Sequence, residues 1–263
     1  MEEILVCLLE PVAETQKKPD TLKRVIRTKH IFVPTERSAF TRLFESNPGM
    51  LMSQKDYSLL AKFAEILAET HKNYISRMKE TKAMPLAKLI EGIQKESLGG
   101  NSHIPKHGPR KWKWRIANSK KILPIHSISS GQMDSWPFFR VAATYIDRKV
   151  KRCFYIEEPE THLHPEAQAG IAKVFMHLIN NGHQVMVTTH SPFLVYELNN
   201  LILAHKAGLP DSIDPAMVGG ANLSAADHQL IDSETGLIKC NEFEDVAASL
   251  NEVFEKNLGM AKL

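Results

Sequence analysis

The feature that most constrains this chain is a regular alternation of elements over its second half. A helix is expected from about Ser135 to Arg148, with Pro137 in the first turn, where proline is tolerated. Cys153 to Ile156 is a short apolar strand. Pro165 opens a second helix, with Ile171, Val174, Phe175 and Leu178 on one face and Asn181-Gly182 as its C-cap. Gln184 to Thr189 is a further strand. Pro192 opens a third helix through Leu198, and Leu201 to Ala204 is strand-like. Helix–strand–helix–strand–helix–strand implies an α/β fold on a parallel sheet with right-handed crossovers.

The front half is less regular. Pro11, Pro19, Pro34 and Pro48 punctuate its first fifty residues. Thr28 to Pro34 reads as a short buried strand that the proline stops. Ser53 and Asp56 approximate a capping box for a helix carrying Leu60, Phe63, Ala64, Leu67, Tyr74 and Met78. Gly99 to Pro109 is a loop by composition. Trp112 to Ile116 and Lys121 to Ile128 resemble two strands of a hairpin turning at Asn118-Ser119.

Charge divides the chain in the same way. Residues 1–125 hold 23 Lys and Arg against 13 Asp and Glu, a balance of +10; residues 126–263 hold 10 against 17, a balance of −7. The 263 residues suffice for one large domain or two small ones, and 43% hydrophobic content excludes a wholly disordered chain. No uninterrupted apolar run is long enough to span a membrane. The apolar run Ile4 to Leu9 is flanked by glutamates, where a signal peptide would need basic residues. Cys7, Cys153 and Cys240 fit no metal or redox spacing, so reduced thiols and a cytoplasmic location are expected.

In open parallel sheets, ligands bind at the carboxyl ends of the strands. The first strand of the regular region runs into Glu157-Glu158-Pro159-Glu160, and the second into Thr189-His190-Ser191-Pro192. Adjacent acids at a strand end suit a nucleotide hydrolase: one carboxylate holds Mg²⁺, and the next polarises the attacking water. A histidine on the neighbouring strand can reach the same γ-phosphate. Upstream, Ile128-Ser129-Ser130-Gly131-Gln132 precedes a helix. Small residues there let backbone N–H groups approach an anion. Alone, each segment also reads as an ordinary surface turn.

Taken in order, ISSGQ, CFYIEEPETHLHPEAQ and VMVTTHSPF resemble the C-terminal half of an ABC-type ATPase head. The nearest kind is the ABC-class AAA-family ATPase of overcoming-lysogenisation-defect (OLD) proteins and prokaryotic defence ATPases. The resemblance implies a P-loop NTPase-like α/β fold, a parallel sheet flanked by helices, with an N-terminal helical and β lobe. It divides the chain into that lobe (1–124) and an ATPase core with a C-terminal extension (125–263). By the same resemblance, Ser129, Ser130, Gly131 and Gln132 take the signature place and Glu157 the metal-acid place. Glu158 takes the catalytic-base place, Thr161 to His164 the D-loop place, with His164 among the nucleotide-binding residues, and His190 the switch-histidine place. Val33 to Ser38 resembles a PxxR segment of this branch. The implied ligands are ATP and Mg²⁺. Two departures stand out: glutamate replaces the usual Walker B aspartate, and Ser130 stands where many relatives carry glycine.

No G-x-x-x-x-G-K-[ST] occurs anywhere in the sequence. The resemblance therefore implies an ATPase head short of its P-loop, from a truncated or split gene or as an accessory subunit. Heads of this kind pair head to tail, so a homodimer or a partner ATPase subunit is expected, with Ser129 to Gln132 closing the partner's site. A non-hydrolysing interaction subunit of an ATPase–nuclease or defence complex is the alternative. An OLD-type nuclease within this one chain would need a Toprim domain, and the residues after the last strand show no paired-acid strand ends. DNA repair and phage defence share this kind of head.

Two further features have competing readings. His162 and His164 form an H-x-H that could hold a metal, yet they sit in the D-loop place. Lys106 to Lys121 holds seven Lys and Arg and no acid, with Trp112 and Trp114 interleaved. That pattern suits a nucleic-acid surface. It suits equally a strand with core-facing tryptophans and a solvated basic face.

Overall fold

The computed structural model describes residues 5–9, 29–35, 37, 58–77, 84–105, 107, 111–147, 149–222, 231–239 and 241–260. In chain order the elements are strands β1 (Leu5–Leu9) and β2 (Lys29–Val33), then helices α1 (Ser58–Arg77) and α2 (Pro85–Leu98). Strands β3 (Gly100–His103), β4 (Lys113–Ile116) and β5 (Ile122–Pro124) follow, and then α3 (Ser130–Tyr145). The rest runs β6 (Arg152–Glu157), α4 (Pro165–Asn180), β7 (Gln184–Thr189), α5 (Pro192–Lys206), β8 (Val218–Asn222) and α6 (Asn241–Met260).

Phe154, Ile156, Val185 and Val187 are all buried, as expected of central strands covered on both faces. They lie in a five-stranded sheet of order β2-β6-β7-β1-β8. Strands β2, β6 and β7 pair in parallel, with Val33 opposite Ile156 and Ile156 opposite Val187. Strand β1 then pairs antiparallel with both β7 and β8. The fold is thus mixed α/β, a parallel sheet flanked by helices and extended by an antiparallel strand. Strands from both expected segments of the chain share this sheet.

Helix α4 buries Ile171, Val174, Phe175 and Leu178, the face its sequence spacing marks out. Each such side chain contributes roughly 1.5–3 kcal/mol through burial. Helix α3 is buried nearly all round, so it is a central element that the other helices cover. Arg140 from α3 donates to the Ser102 hydroxyl at 2.7 Å and pairs with Glu91. Its guanidinium also lies 5.0 Å from the Tyr74 ring and 5.6 Å from the Trp112 ring. One cation therefore ties α1, α2, β3 and the residue just before β4 to the central helix.

Several sequence expectations change. Helix α3 starts at Ser130, not Ser135, because Ser129 and Gln132 form a capping box that outweighs the later start suggested by Pro137. Proline 137 consequently lies inside the helix. The supposed loop after Gly99 contains β3, which its partner β4 stabilises despite a polar composition. Leu201 to Ala204 is helical, since Leu201 and Ile202 continue the buried stripe of Leu194, Val195 and Leu198. The hairpin at Asn118-Ser119 is present, with Asn118 at φ 55° in the turn, but its second strand ends at Pro124 and Ile125–Ser127 forms a 3-10 turn instead of continuing it. The Ser53/Asp56 cap, Met78, Glu36, Ser38, Lys106, Arg110, Arg148 and Cys240 lie outside the described residues. No described helix is long and apolar enough to cross a membrane.

Candidate functional site

The carboxyl ends of β6 and β7 meet because the strands run parallel, with Glu157 level with Thr188. Glu157 ends β6, and Glu158 follows at φ 40°. A left-handed glutamate costs about 1 kcal/mol or more, so neighbouring bonds must hold it there. The Glu158 N–H donates to the Thr188 carbonyl at 2.9 Å, and its own carbonyl accepts from the Thr161 hydroxyl at 2.9 Å. A second left-handed residue, His162 at φ 61°, completes a compact loop to His164, the N-cap of α4.

Arg37 lies beneath this loop and is 1% exposed. Its guanidinium donates to the carbonyls of Pro34, Glu157, Glu158 and Asp134, at 3.0, 2.7, 3.0 and 2.9 Å. Burial lowers its pKa to about 10, against the pull of Asp134, Glu160, Glu158 and Glu157. The arginine of the PxxR segment is therefore the bracket that fixes the backbone of both acids. Thr35 of the same segment directs its hydroxyl at the Glu157 carboxylate, 3.5 Å away.

His190 follows β7, and its Nε2 lies 3.9 Å from Glu158 Oε1. Its backbone N–H donates to Glu160 Oε1 at 2.7 Å. Glu160 is read from sequence as a plain turn residue; in the fold it clamps the β7 end to the β6 loop. The other Glu160 oxygen is buried without a hydrogen-bond partner. Gln168 continues this link, donating to the Leu163 carbonyl at 3.1 Å and accepting from the Ser191 hydroxyl.

Helix α3 brings the third segment to the same loop. A methyl group on Gly131 would sit 2.3 Å from the His162 carbonyl oxygen, so only glycine permits this approach. Asp134, one turn on, accepts from His162 Nδ1 at 2.8 Å. Ser129 and Gln132 spend their side chains on the cap: the Ser129 hydroxyl accepts from the Gln132 N–H, and Gln132 Oε1 accepts from the Ser129 N–H. Gln132 Nε2 also donates to the Leu98 carbonyl at 2.7 Å. Ser130 and His164 are exposed. Thus Glu157, Glu158 and His190 converge on one strand-end ridge, Gly131 packs against the loop that carries the acids, and Ser129 and Gln132 cap the helix beside it.

A family model described as an AAA ATPase domain matches residues 13–195. The chain belongs to this family. The match takes in the acids, His190, Ser129 to Gln132 and Arg37. It also reaches well upstream of residue 125, where the sequence motifs begin. No curated protein sequence matches the chain.

Among the described residues, no three His, Cys, Asp or Glu side chains converge to hold a metal ion unaided. His162 is engaged by Asp134 through Nδ1. Mg²⁺ usually needs only one or two protein carboxylates when substrate phosphates complete its shell. Glu157 is the carboxylate that the sequence resemblance places in that role.

Proposed function

We propose that this AAA ATPase domain is an ABC-type head that binds ATP and hydrolyses its γ-phosphate bond, its site completed by a second subunit or copy. One observation carries the reading: adjacent acids leave β6 where β7 delivers His190, with 3.9 Å between His190 and Glu158. In this reading Glu158 takes a proton from the attacking water, and His190 donates to the γ-phosphate. Glu157 would hold Mg²⁺, which neutralises phosphate charge when bound. Arg37 keeps both carboxylates on station, so little reorganisation is needed as charge develops. Ser130, with Ser129 and Gln132 ordered by their cap, would present the start of α3 to a nucleotide held by the partner. His164 would contact the same nucleotide.

The test is Glu158→Gln in the assembly purified from its source cell through a tag on this chain. Turnover of ATP should fall at least about 100-fold, the lower range for losing a general base, while bound ATP persists. Unchanged turnover would remove Glu158 from the mechanism. A second reading, a non-hydrolysing subunit, is favoured by the sequence having no G-x-x-x-x-G-K-[ST]. It predicts that the wild-type assembly and the E158Q assembly turn over ATP equally. Micromolar ATP binding by the purified chain alone would instead refute a site shared between subunits.

A further inference from the structure

Among the described residues of the basic run, Lys111, Lys113, Arg115, Lys120 and Lys121 take no part in the acidic ridge. Trp112 and Trp114 are buried, so the alternation on β4 and just before it turns Lys111 and Arg115 outward, both exposed, with Lys113 half-buried. Beside them, the β4–β5 turn and the end of α2 enclose a hollow of about 470 Å³. Lys95, Asn101, Arg115, Asn118, Ser119 and Lys120 contribute to its wall, and no carboxylate lines it. Among the described residues, Lys95, Arg115 and Lys120 form no ion pair. A hollow with three uncompensated cations and three neutral hydrogen-bonding side chains selects an anion. The field is felt nearby: burial, and then Arg115, Arg140 and Lys113, lower the His103 pKa to about 4.

The shape of the array separates a chain of phosphates from a single one. Lys111, Lys113 and Arg115 alternate along an extended segment, so the cations recur about every 7 Å and lead into the hollow. A linear array matches a linear polyanion. The tryptophans that could stack on bases are turned into the core, which leaves charge and hydrogen bonding as the means of contact.

We propose that the hollow between α2 and the β4–β5 turn, with the outer face of β4, binds the phosphate backbone of a nucleic-acid strand without reading its sequence. This site is independent of the nucleotide chemistry proposed for Glu157, Glu158 and His190.

The experiment is fluorescence anisotropy of the full chain with 5′-labelled oligo(dT) and oligo(dA) strands of equal length. Both strands should bind within about threefold of each other, because no base is stacked or read. With five phosphates neutralised, one each by Lys95, Lys111, Lys113, Arg115 and Lys120, raising salt from 50 to 200 mM should weaken binding roughly 100-fold. Reversing Lys95, Arg115 and Lys120 together to glutamate should abolish most of that binding and flatten the salt dependence. Circular dichroism and melting temperature confirm that the variant remains folded. A control reversing the exposed Lys62, Lys149 and Lys173 has the same net charge and should retain at least half the affinity. Equal loss in the control would overturn the proposal, as would strong preference for one homopolymer or no binding at 50 mM salt. Complete displacement by 1 mM inorganic tripolyphosphate at matched ionic strength would assign the hollow to a small phosphate ligand and overturn it too.

Discussion

Arg37 offers the sharpest test of how the site is held. Replacing it with alanine leaves the carbonyls of Pro34, Asp134, Glu157 and Glu158 without their cationic donor. An unsatisfied buried acceptor costs about 1–3 kcal/mol. The Glu158 carbonyl keeps its bond from Thr161 and water can follow a truncated side chain, so about 1 kcal/mol for each of the four lost hydrogen bonds is appropriate, and the total is about 4 kcal/mol. That agrees with the roughly 3–5 kcal/mol seen when one partner of a buried charged set is removed. Arg37→Lys keeps the charge but replaces a planar fork by a single ammonium with three donors. It should recover about half of the loss, leaving a deficit of about 2 kcal/mol. For a chain of this size each kcal/mol shifts the melting temperature by roughly 2–4 °C. Thermal unfolding by far-UV circular dichroism should therefore show a fall of about 8–16 °C for alanine and 4–8 °C for lysine. If both variants melt within about 2 °C of wild type, Arg37 does not bracket the loop and the reasoning fails.

The remaining predictions concern acid stability and the close approach of α3. His183 accepts from the Arg152 N–H through Nδ1 and donates to the Ile146 carbonyl through Nε2, both at 3.2 Å, an arrangement that only the neutral ring satisfies. Burial lowers its pKa from 6.5 to about 4, so the unfolded chain binds the extra proton between those values. Stability is full above pH 6.5 and falls by up to about 3 kcal/mol as pH drops through 4. His183→Gln should flatten that part of the urea-unfolding profile, and superimposable profiles would refute the assignment. Gly131→Ala should cost about 1–3 kcal/mol, because its methyl would meet the His162 backbone at 2.3 Å. Gly92→Ala, on an open helical surface with nothing within 4 Å, should instead gain about 0.5–1 kcal/mol. Equal melting temperatures for the two variants would show that α3 and the acid loop are not in contact.

The strands and helices from β6 to α5 are legible because their signals are local. Pro165 and Pro192 start helices, Gly182 at φ 80° follows the end of one, and Gln184–Thr189 is an uninterrupted β-forming run. The positions of Glu157, Glu158 and His190 follow from the same signals, since each lies at or just beyond a strand end. Where two local signals compete, sequence reasoning errs. At Pro137 the proline suggests a helix start, yet the Ser129–Gln132 cap sets the start earlier. At Leu201 the apolar run fits a strand, yet its burial continues a helical stripe.

The sequence by itself determined an α/β chain with two acids and a histidine at strand ends, and a basic run threaded by tryptophans. Only the tertiary structure decided what holds them. Arg37 is more than a hundred residues from the acids whose backbone it grips, and Glu160 reaches thirty residues on to clamp His190. The Lys95 ammonium joins Arg115 and Lys120 only because α2 ends beside the β4–β5 turn. Periodicity and caps act within a few residues and can be read along the chain. Hydrogen bonds between buried groups depend on which elements pack together, and that is settled by the whole core at once.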